Sequence, residues 1–331
     1  MKEKINWLLI LKAWAMFLVI VGHSLMYPPG DPGNPNWINH LYFAAKSFRM
    51  PLFVFSSGFL FYYSRLKRSI PYGTMLLDKL KRLGIPFVVL TLFAMVLKTI
   101  FSGYMARPSE ISIGEFVNAV LYPYDGPMRE FWFIILSMWL FILFPLFKYL
   151  LANNKRTIFG CIFFMVLSAI VPKSLFGDLL CLGTTLRYII WFYLGMVCCK
   201  YEIFNKKRNN YLLFCILLTL YMCLYIFCSK SLSVLISFVG ILMSIEFAFI
   251  LDKNCPKIFS SFRNYTYQIY LIGIFIQIFV KIGYKHSLYP YMPSFVLCII
   301  VGLYLPVIIS KIVEKINWAP LLLSIGLSKK K

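Results

Sequence analysis

Ile5-Asn6-Trp7-Leu8-Leu9-Ile10-Leu11-Lys12-Ala13-Trp14-Ala15-Met16-Phe17-Leu18-Val19-Ile20-Val21-Gly22-His23-Ser24-Leu25-Met26 is the stretch that decides the fold. Between Asn6 and Gly22 its one charged side chain is Lys12. At 1.5 Å per residue, a helix of about twenty such residues crosses about 30 Å of hydrocarbon. Lys2 and Lys4 ahead of the stretch give it the look of a secretory leader. Lys12 inside the apolar core, with no small-x-small cleavage site after it, predicts an uncleaved first transmembrane helix instead.

Outward from this helix the same texture repeats. After the turn Pro28-Pro29-Gly30-Asp31-Pro32-Gly33, apolar blocks run at about 38–63, 84–105, 130–150, 158–176, 185–200, 211–228, 232–251, 265–283 and 291–312. The chain is 60% hydrophobic, 18% aromatic and 14% charged, with a mean hydropathy of +0.77. A soluble globular domain carries about a quarter charged residues, so the bilayer is the natural solvent for this sequence. The expected fold is all-α, a polytopic transmembrane bundle of about ten helices forming one domain over residues 1–331. No soluble domain is expected, since the longest polar interval, 106–128, is too short to hold a core. No internal repeat or low-complexity segment is visible.

The net charge of +22 invites a nucleic-acid reading, but the basic residues fall between the apolar blocks and alternate in density. Lys2, Lys4, Arg65, Lys67, Arg68, Lys79, Lys81, Arg82, Lys155, Arg156, Lys206, Lys207, Arg208, Lys253, Lys257, Arg263 and Lys329 to Lys331 belong to one set of loops. The other set holds only scattered residues such as Arg107, Arg129, Lys173, Lys230, Lys281 and Lys285. This asymmetry is the mark of membrane topology; it predicts cytoplasmic termini and an even number of spans, with membrane lipid rather than nucleic acid as the partner. The nine cysteines sit almost wholly inside apolar blocks, with Cys255 in a basic loop and no CxxC pair, so neither a disulfide framework nor a metal site is expected.

Ionisable groups within a span cost about 2.5 to 3.5 kcal/mol each on the insertion scale and are kept for a use. Lys12 and His23 are separated so that, at about 100° per residue, they fall within about 20° of one face and about 16 Å apart along it. Arg49 lies mid-block in Lys46-Ser47-Phe48-Arg49-Met50-Pro51, far from either surface for snorkelling. Pro51 is expected to distort that helix and free backbone groups.

Lys12-x10-His23 followed by Phe48-Arg49-Met50-Pro51-Leu52-Phe53-Val54-Phe55-Ser56-Ser57-Gly58-Phe59 resembles the signature of the acyltransferase-3 family, membrane enzymes that O-acetylate bacterial surface glycans. The N-terminal runs are most similar to the fucose-4-O-acetylase-like and polysaccharide O-acetyltransferase branch. Fainter similarity continues at Leu121-Tyr122-Pro123, Phe131-Trp132-Phe133, Phe192-Tyr193-Leu194-Gly195 and Tyr265 to Ile272. The chain departs from the family pattern at Lys12, where many members have Arg, at Asn6, where many are acidic, and at Gly273, where many have His. The resemblance implies a multi-pass enzyme of the bacterial cytoplasmic (inner) membrane, with acetyl-CoA as donor and a glycan or lipid-linked sugar as acceptor. A succinyl donor is a known variation.

Acyl transfer from a thioester to a hydroxyl needs a base, donors for the developing oxyanion, and positive charge for the anionic carrier. His23, with an ordinary pKa near neutrality, is the candidate base or transient acyl carrier. Arg49 and Lys12 supply positive charge. Secondary substrate-binding candidates are Ser57, Trp132, Arg187, Tyr188, Tyr270 and Glu246; each also has a plain structural reading, as helix packing, aromatic belt, interfacial snorkelling or a local ion pair. A secondary transporter or flippase for a lipid-linked glycan is the alternative, since buried charges and Pro-interrupted spans also describe transporters. The basic character of the charges and the lack of a repeat favour the enzyme.

Overall fold

The computed structural model of the chain describes residues 6–66, 71–104, 109–172, 174–204, 210–227, 232–286 and 289–327. Outside these lie Cys228 and the basic residues Lys2, Lys4, Lys67, Arg68, Arg107, Lys173, Lys206, Lys207, Arg208, Lys230 and Lys329 to Lys331. Among the described residues every regular element is helical. Six helical segments are long and apolar enough to cross a membrane: Asn6–His23, Tyr72–Ile100, Gly177–Lys200, Ser233–Asn254, Arg263–Lys285 and Tyr291–Ile316. A seventh is made if the pair Arg129–Ile142 and Phe144–Leu150, bent by 53°, counts as one span.

Six or seven segments of span quality stand against the ten blocks expected. Within the block at 211–228 the described residues form the apolar helix Tyr211–Phe227. The block at 38–63 is a helix of 26 residues that carries Lys46, Ser47, Arg49, Ser56 and Ser57 along its length. Arg49 and Ser56 are buried while Lys46 is exposed, and the site is built around Arg49.

The chain divides into two compact units. Unit 1 comprises Met1–Tyr63 and Cys198–Ile309. It contains α1 (Asn6–His23), α2 (Asn36–Phe61), α9 (Tyr211–Phe227), α10 (Ser233–Asn254), α11 (Thr266–Lys285) and most of α12 (Tyr291–Ile316). Helix α1 is buried on nearly all sides, as expected of a helix that is apolar all round, and packs on α2, α10 and α11. Trp7 anchors its first turn, with ring centroids 5.3 Å from Phe59 and 4.9 Å from Phe249.

Pro51 sits inside α2 without ending it. A proline has no N–H to offer the carbonyl four residues earlier, here Ser47 O. That carbonyl is taken instead by the Ser237 hydroxyl of α10 at 2.6 Å. One turn earlier, Tyr221 of α9 donates to Ala44 O at 2.6 Å, with its hydroxyl 2.9 Å from Ser47 Oγ. Between these bonds Phe48 presses on Gly240, where a Cβ would stand 2.6 Å from its ring. The freed backbone anticipated at Pro51 is therefore re-satisfied by neighbouring helices, which fixes α2 just before Arg49.

Unit 2 comprises Ser64–Val197 and Ser310–Lys331. It holds α3 (Tyr72–Ile100), α4 (Ile113–Leu121), α5 (Trp132–Ile142), α6 (Phe144–Leu150), α7 (Asn154–Ile170), most of α8 (Leu182–Lys200) and α13 (Ala319–Ser324). The interval 106–128 contains the amphipathic helix α4, capped by the Ser112 hydroxyl accepting from Glu115 N at 3.1 Å. Ahead of α8 the backbone turns left-handed at Gly177, Asp178, Leu180 and Cys181. The Asp178 carboxylate then accepts from Thr184 N at 3.0 Å and from the Thr184 hydroxyl at 2.8 Å, capping the helix start. At the centre of α7, Gly160 lies under the fully buried ring of Tyr193.

Candidate functional site

In unit 1 the two motif-bearing helices bring their ionisable residues together. Arg49 is 6% exposed. Its Nη1 donates to Leu18 O of α1 at 3.4 Å, and its guanidinium carbon lies 4.9 Å from the Tyr42 ring centroid, a cation–π distance. The group rests on Gly22: a Cβ there would collide with Nη1 and stand 2.7 Å from Cζ. Only glycine at that position lets a guanidinium lie against the last turn of α1, immediately before His23.

His23 is the final residue of α1 and half-buried. Both Arg49 and Lys281 lie within electrostatic reach of its ring. The sequence reading grouped Lys281 with loop charges, whereas the structure puts it in α11, half-buried. It is flanked on one helix face by Gln277, whose amide reaches Ser24 at 2.8 Å, and Tyr284, whose hydroxyl donates to Tyr27 at 3.3 Å. Residues spaced i, i+4, i+7 share a helix face. Lys281 therefore faces the end of α1 between those two contacts.

The chain leaving His23 is held in place. Asn34, 1% exposed, donates to Tyr27 O and Pro28 O at 3.2 and 2.9 Å and accepts from Tyr291 of α12 at 2.7 Å. Asn39 closes the same loop, accepting from Gly30 N at 2.9 Å and donating to Asp31 O at 3.1 Å. The Pro/Gly-rich turn is thus a built element that fixes the entry to α2 relative to the end of α1.

The remaining candidates in unit 1 are dispersed. Lys12 is half-buried on α1, about 16 Å along the axis from His23, so helical geometry keeps it out of the Arg49 cluster. Glu246 is buried in α10 and Tyr270 in α11; the Tyr270 ring lies 6.5 Å from Tyr267, nearly parallel to it. Ser57 donates to Phe53 O of its own helix at 2.9 Å. At the opposite end of α1 from His23, Asn6 Nδ2 donates to the buried Asp252 carboxylate at 2.5 Å and to Pro256 O at 3.1 Å.

In unit 2, two of the secondary candidates meet. Trp132 lies 5.5 Å from Tyr188 and stacks on Tyr124 at 5.8 Å with 17° between the planes. Tyr124 was not picked out from sequence. Its phenol shares a hydrogen bond with Thr184, and burial pushes its pKa above the ordinary tyrosine range, so it stays a protonated donor. Arg187 is exposed beside Tyr188. Arg129, also exposed, donates from Nε to Tyr124 O at 3.0 Å. The result is an aromatic cluster with basic side chains at its edge.

Among the described residues no group of three His, Cys, Asp or Glu side chains is placed to hold a metal ion. The chemistry available in unit 1 is that of an imidazole beside a fixed guanidinium and an ammonium. The sequence signal for Arg49 and His23 was their rarity inside apolar blocks; Lys281, inside the block at 265–283, could have been found by the same signal. Residues 5–311 match a family model described as an acyltransferase domain. No curated protein and no solved structure matches the chain.

Proposed function

Because that match takes in nearly its whole length, the chain belongs to the acyltransferase-3 family, and on this premise we propose that it moves an acetyl group from acetyl-CoA to a hydroxyl of a surface polysaccharide or lipid-linked glycan. The family and the apolar helices make it a multi-pass membrane acyltransferase. The finer reading, in the fucose-4-O-acetylase-like and polysaccharide O-acetyltransferase branch, keeps one domain in the bacterial cytoplasmic membrane with both termini inside.

The observation that carries the proposal is the seat of the Arg49 guanidinium on Gly22, next to His23. An arginine oriented by a helix carbonyl and an aromatic ring is a preorganised positive group, and preorganisation is what makes such charge effective on a developing oxyanion. In this reading His23 takes the acceptor hydroxyl proton as the oxygen attacks the thioester carbonyl, Arg49 stabilises the resulting oxyanion, and the CoA thiolate leaves. His23 acting as a brief acetyl carrier uses the same contacts. Lys12, on the cytoplasmic part of the same helix face, serves the anionic donor. Lys281 adds positive charge within reach of His23. Trp132 and Tyr188, with Tyr124 and Arg187, supply a stacking surface with a basic edge for a sugar ring. Glu246, Tyr270 and Ser57 are assigned supporting places along the substrate path.

Membranes containing the protein, given radiolabelled acetyl-CoA and acceptor glycan, are expected to transfer label to the glycan, and His23→Ala membranes are not. Full transfer by His23→Ala would remove His23 from the reaction. Movement of glycan without consumption of acetyl-CoA would instead establish a transporter.

A further inference from the structure

Helix α11 grips the end of α1 through a side chain that the acyl-transfer scheme does not use. Gln277 is 1% exposed and Ser24 is fully buried. The Gln277 Nε2 lies 3.1 Å from Ile20 O, 2.8 Å from Ser24 Oγ and 3.4 Å from Cys298 O of α12. Ser24 donates its own hydroxyl to Ile20 O at 2.8 Å and its backbone N–H to Val21 O at 3.1 Å. The last four carbonyls of a helix have no partner within it. In α1 these begin at Ile20, so the turn that ends on His23 is closed by Ser24 and by an amide from another helix.

Two glycines make this reach possible. A Cβ on Gly273 would stand 2.8 Å from Gly302 O and 3.1 Å from Ile20 Cδ1, and one on Gly302 would stand 2.9 Å from Gln277 Nε2. The helices α11 and α12 therefore approach closely at these points. Any larger residue at Gly273 would push α11 away from Ile20 and pull the amide out of range.

We propose that Gln277 is a positioning residue for His23: by bonding Ile20 O and Ser24 it fixes the terminal turn of α1, and with it the placement of the imidazole beside the Arg49 guanidinium. This rests on the acyl-transfer reading of His23. The amide is buried against α1 and α12, so its loss is expected to act on the reaction step and not on binding. Small displacements of a reacting group are costly, about 100-fold for about 1 Å.

Gln277→Met keeps the volume and removes both donors. In purified protein in detergent it is expected to lower kcat for acetyl transfer about 30-fold while KM for acetyl-CoA stays within about twofold. Gln277→Glu, which keeps the shape but offers no amide hydrogens, is expected to behave likewise. Because Ser24 and Gln277 close one turn together, Ser24→Ala should lower kcat by itself and add little to Gln277→Met. A folded Gln277→Met protein with wild-type kcat, or one whose loss lies wholly in KM, overturns the proposal. If Gln277→Met fails to accumulate in membranes, Ser24→Ala decides alone, and wild-type kcat in that variant overturns it too. Wild-type protein that consumes no acetyl-CoA would bring down the functional reading and this inference together, whereas wild-type transfer abolished in His23→Ala but unchanged in Gln277→Met defeats only the inference.

Discussion

The two units use their buried polar side chains differently. In unit 1 these groups tie distant helices together: Asn6 to Asp252, Ser237 to Ser47 O, Tyr221 to Ala44 O, and Gln277 to Ile20 O. In unit 2 they mostly serve their own segment, as when Ser137 bonds Phe133 O, Ser168 bonds Met165 O, and Asp178 caps the helix that follows it. Bonds to another element occur there too, from Trp139 to Leu180 O, Tyr193 to Thr157 O, Thr157 to Leu150 O, Tyr72 to Ile142 O and Arg82 to Gly326 O. A hydrogen bond across helices in an apolar setting holds register, and leaving one of its members unpaired is costly. In unit 1 these bonds set the relative positions of α1, α2, α10 and α11 closely, which the reaction centre proposed there would require.

A pair of glycines puts the contrast to its strongest test. Gly22 and Gly160 each lie beneath a large buried side chain, Arg49 in unit 1 and Tyr193 in unit 2. Gly22→Ala would drive the guanidinium off α1; acetyl transfer is expected to fall about 100-fold, a loss of about 2.7 kcal/mol in transition-state stabilisation, with the protein still present in membranes at normal levels. Gly160→Ala overfills a packed aromatic site, with a Cβ 2.6 Å from the Tyr193 hydroxyl, and is expected to lower stability by about 2 kcal/mol. Thermal unfolding in detergent measures that cost, and transfer per folded molecule should be unchanged. If Gly160→Ala instead lost transfer in its folded fraction, the division of labour between the units would not hold.

How far the sequence revealed this arrangement follows from what each residue depends on. Helical phase and the rarity of charge in apolar blocks were enough to single out His23 and Arg49, and proline chemistry alone indicated that Pro51 would free backbone groups in α2. What met the Ser47 carbonyl was not readable, because Ser237 is one serine among many until α10 is packed on α2. Lys281 passed for a loop charge because charge counting ignores which face a residue occupies; its neighbours Gln277 and Tyr284, one turn to either side, define that face only once α11 lies against α1. Tyr124 sits in Tyr122-Pro123-Tyr124-Asp125-Gly126-Pro127, a stretch whose turn character is plain but whose stacking on Trp132 is a matter of tertiary structure. Ten apolar blocks stand against six or seven segments of span quality because the block at 130–150 is broken by a 53° bend and α2 carries Lys46 and Arg49 within its length.

A smaller effect is expected where one cross-helix bond is removed while the site itself is left intact. Ser237→Ala takes the donor from Ser47 O, a carbonyl that Pro51 has already deprived of its helical partner, and should cost about 1.5 kcal/mol of stability. Arg49 follows Ser47 by half a turn, so a transfer rate about threefold lower is expected as well. Ser237→Thr keeps the hydroxyl and should recover most of both. Recovery in Thr with loss in Ala separates the bond from simple packing, and equal behaviour of the two variants would show that the bond does not hold α2.

The smallest effect belongs to the aromatic cluster of unit 2, and it sharpens the comparison most. If unit 1 performs the reaction and unit 2 offers only surface, Trp132→Ala should raise KM for the glycan about fivefold, equivalent to about 1 kcal/mol, with kcat and the KM for acetyl-CoA nearly unchanged. Trp132→Phe keeps a flat apolar face against Tyr124 and Tyr188 and should recover most of the affinity. Loss confined to KM for the glycan marks uniform binding, which leaves the chemical step alone. A fall in kcat with unaltered KM would mean that the ring acts in the transition state, and the preorganised chemistry assigned to the His23–Arg49 pair would then have to be shared with Trp132.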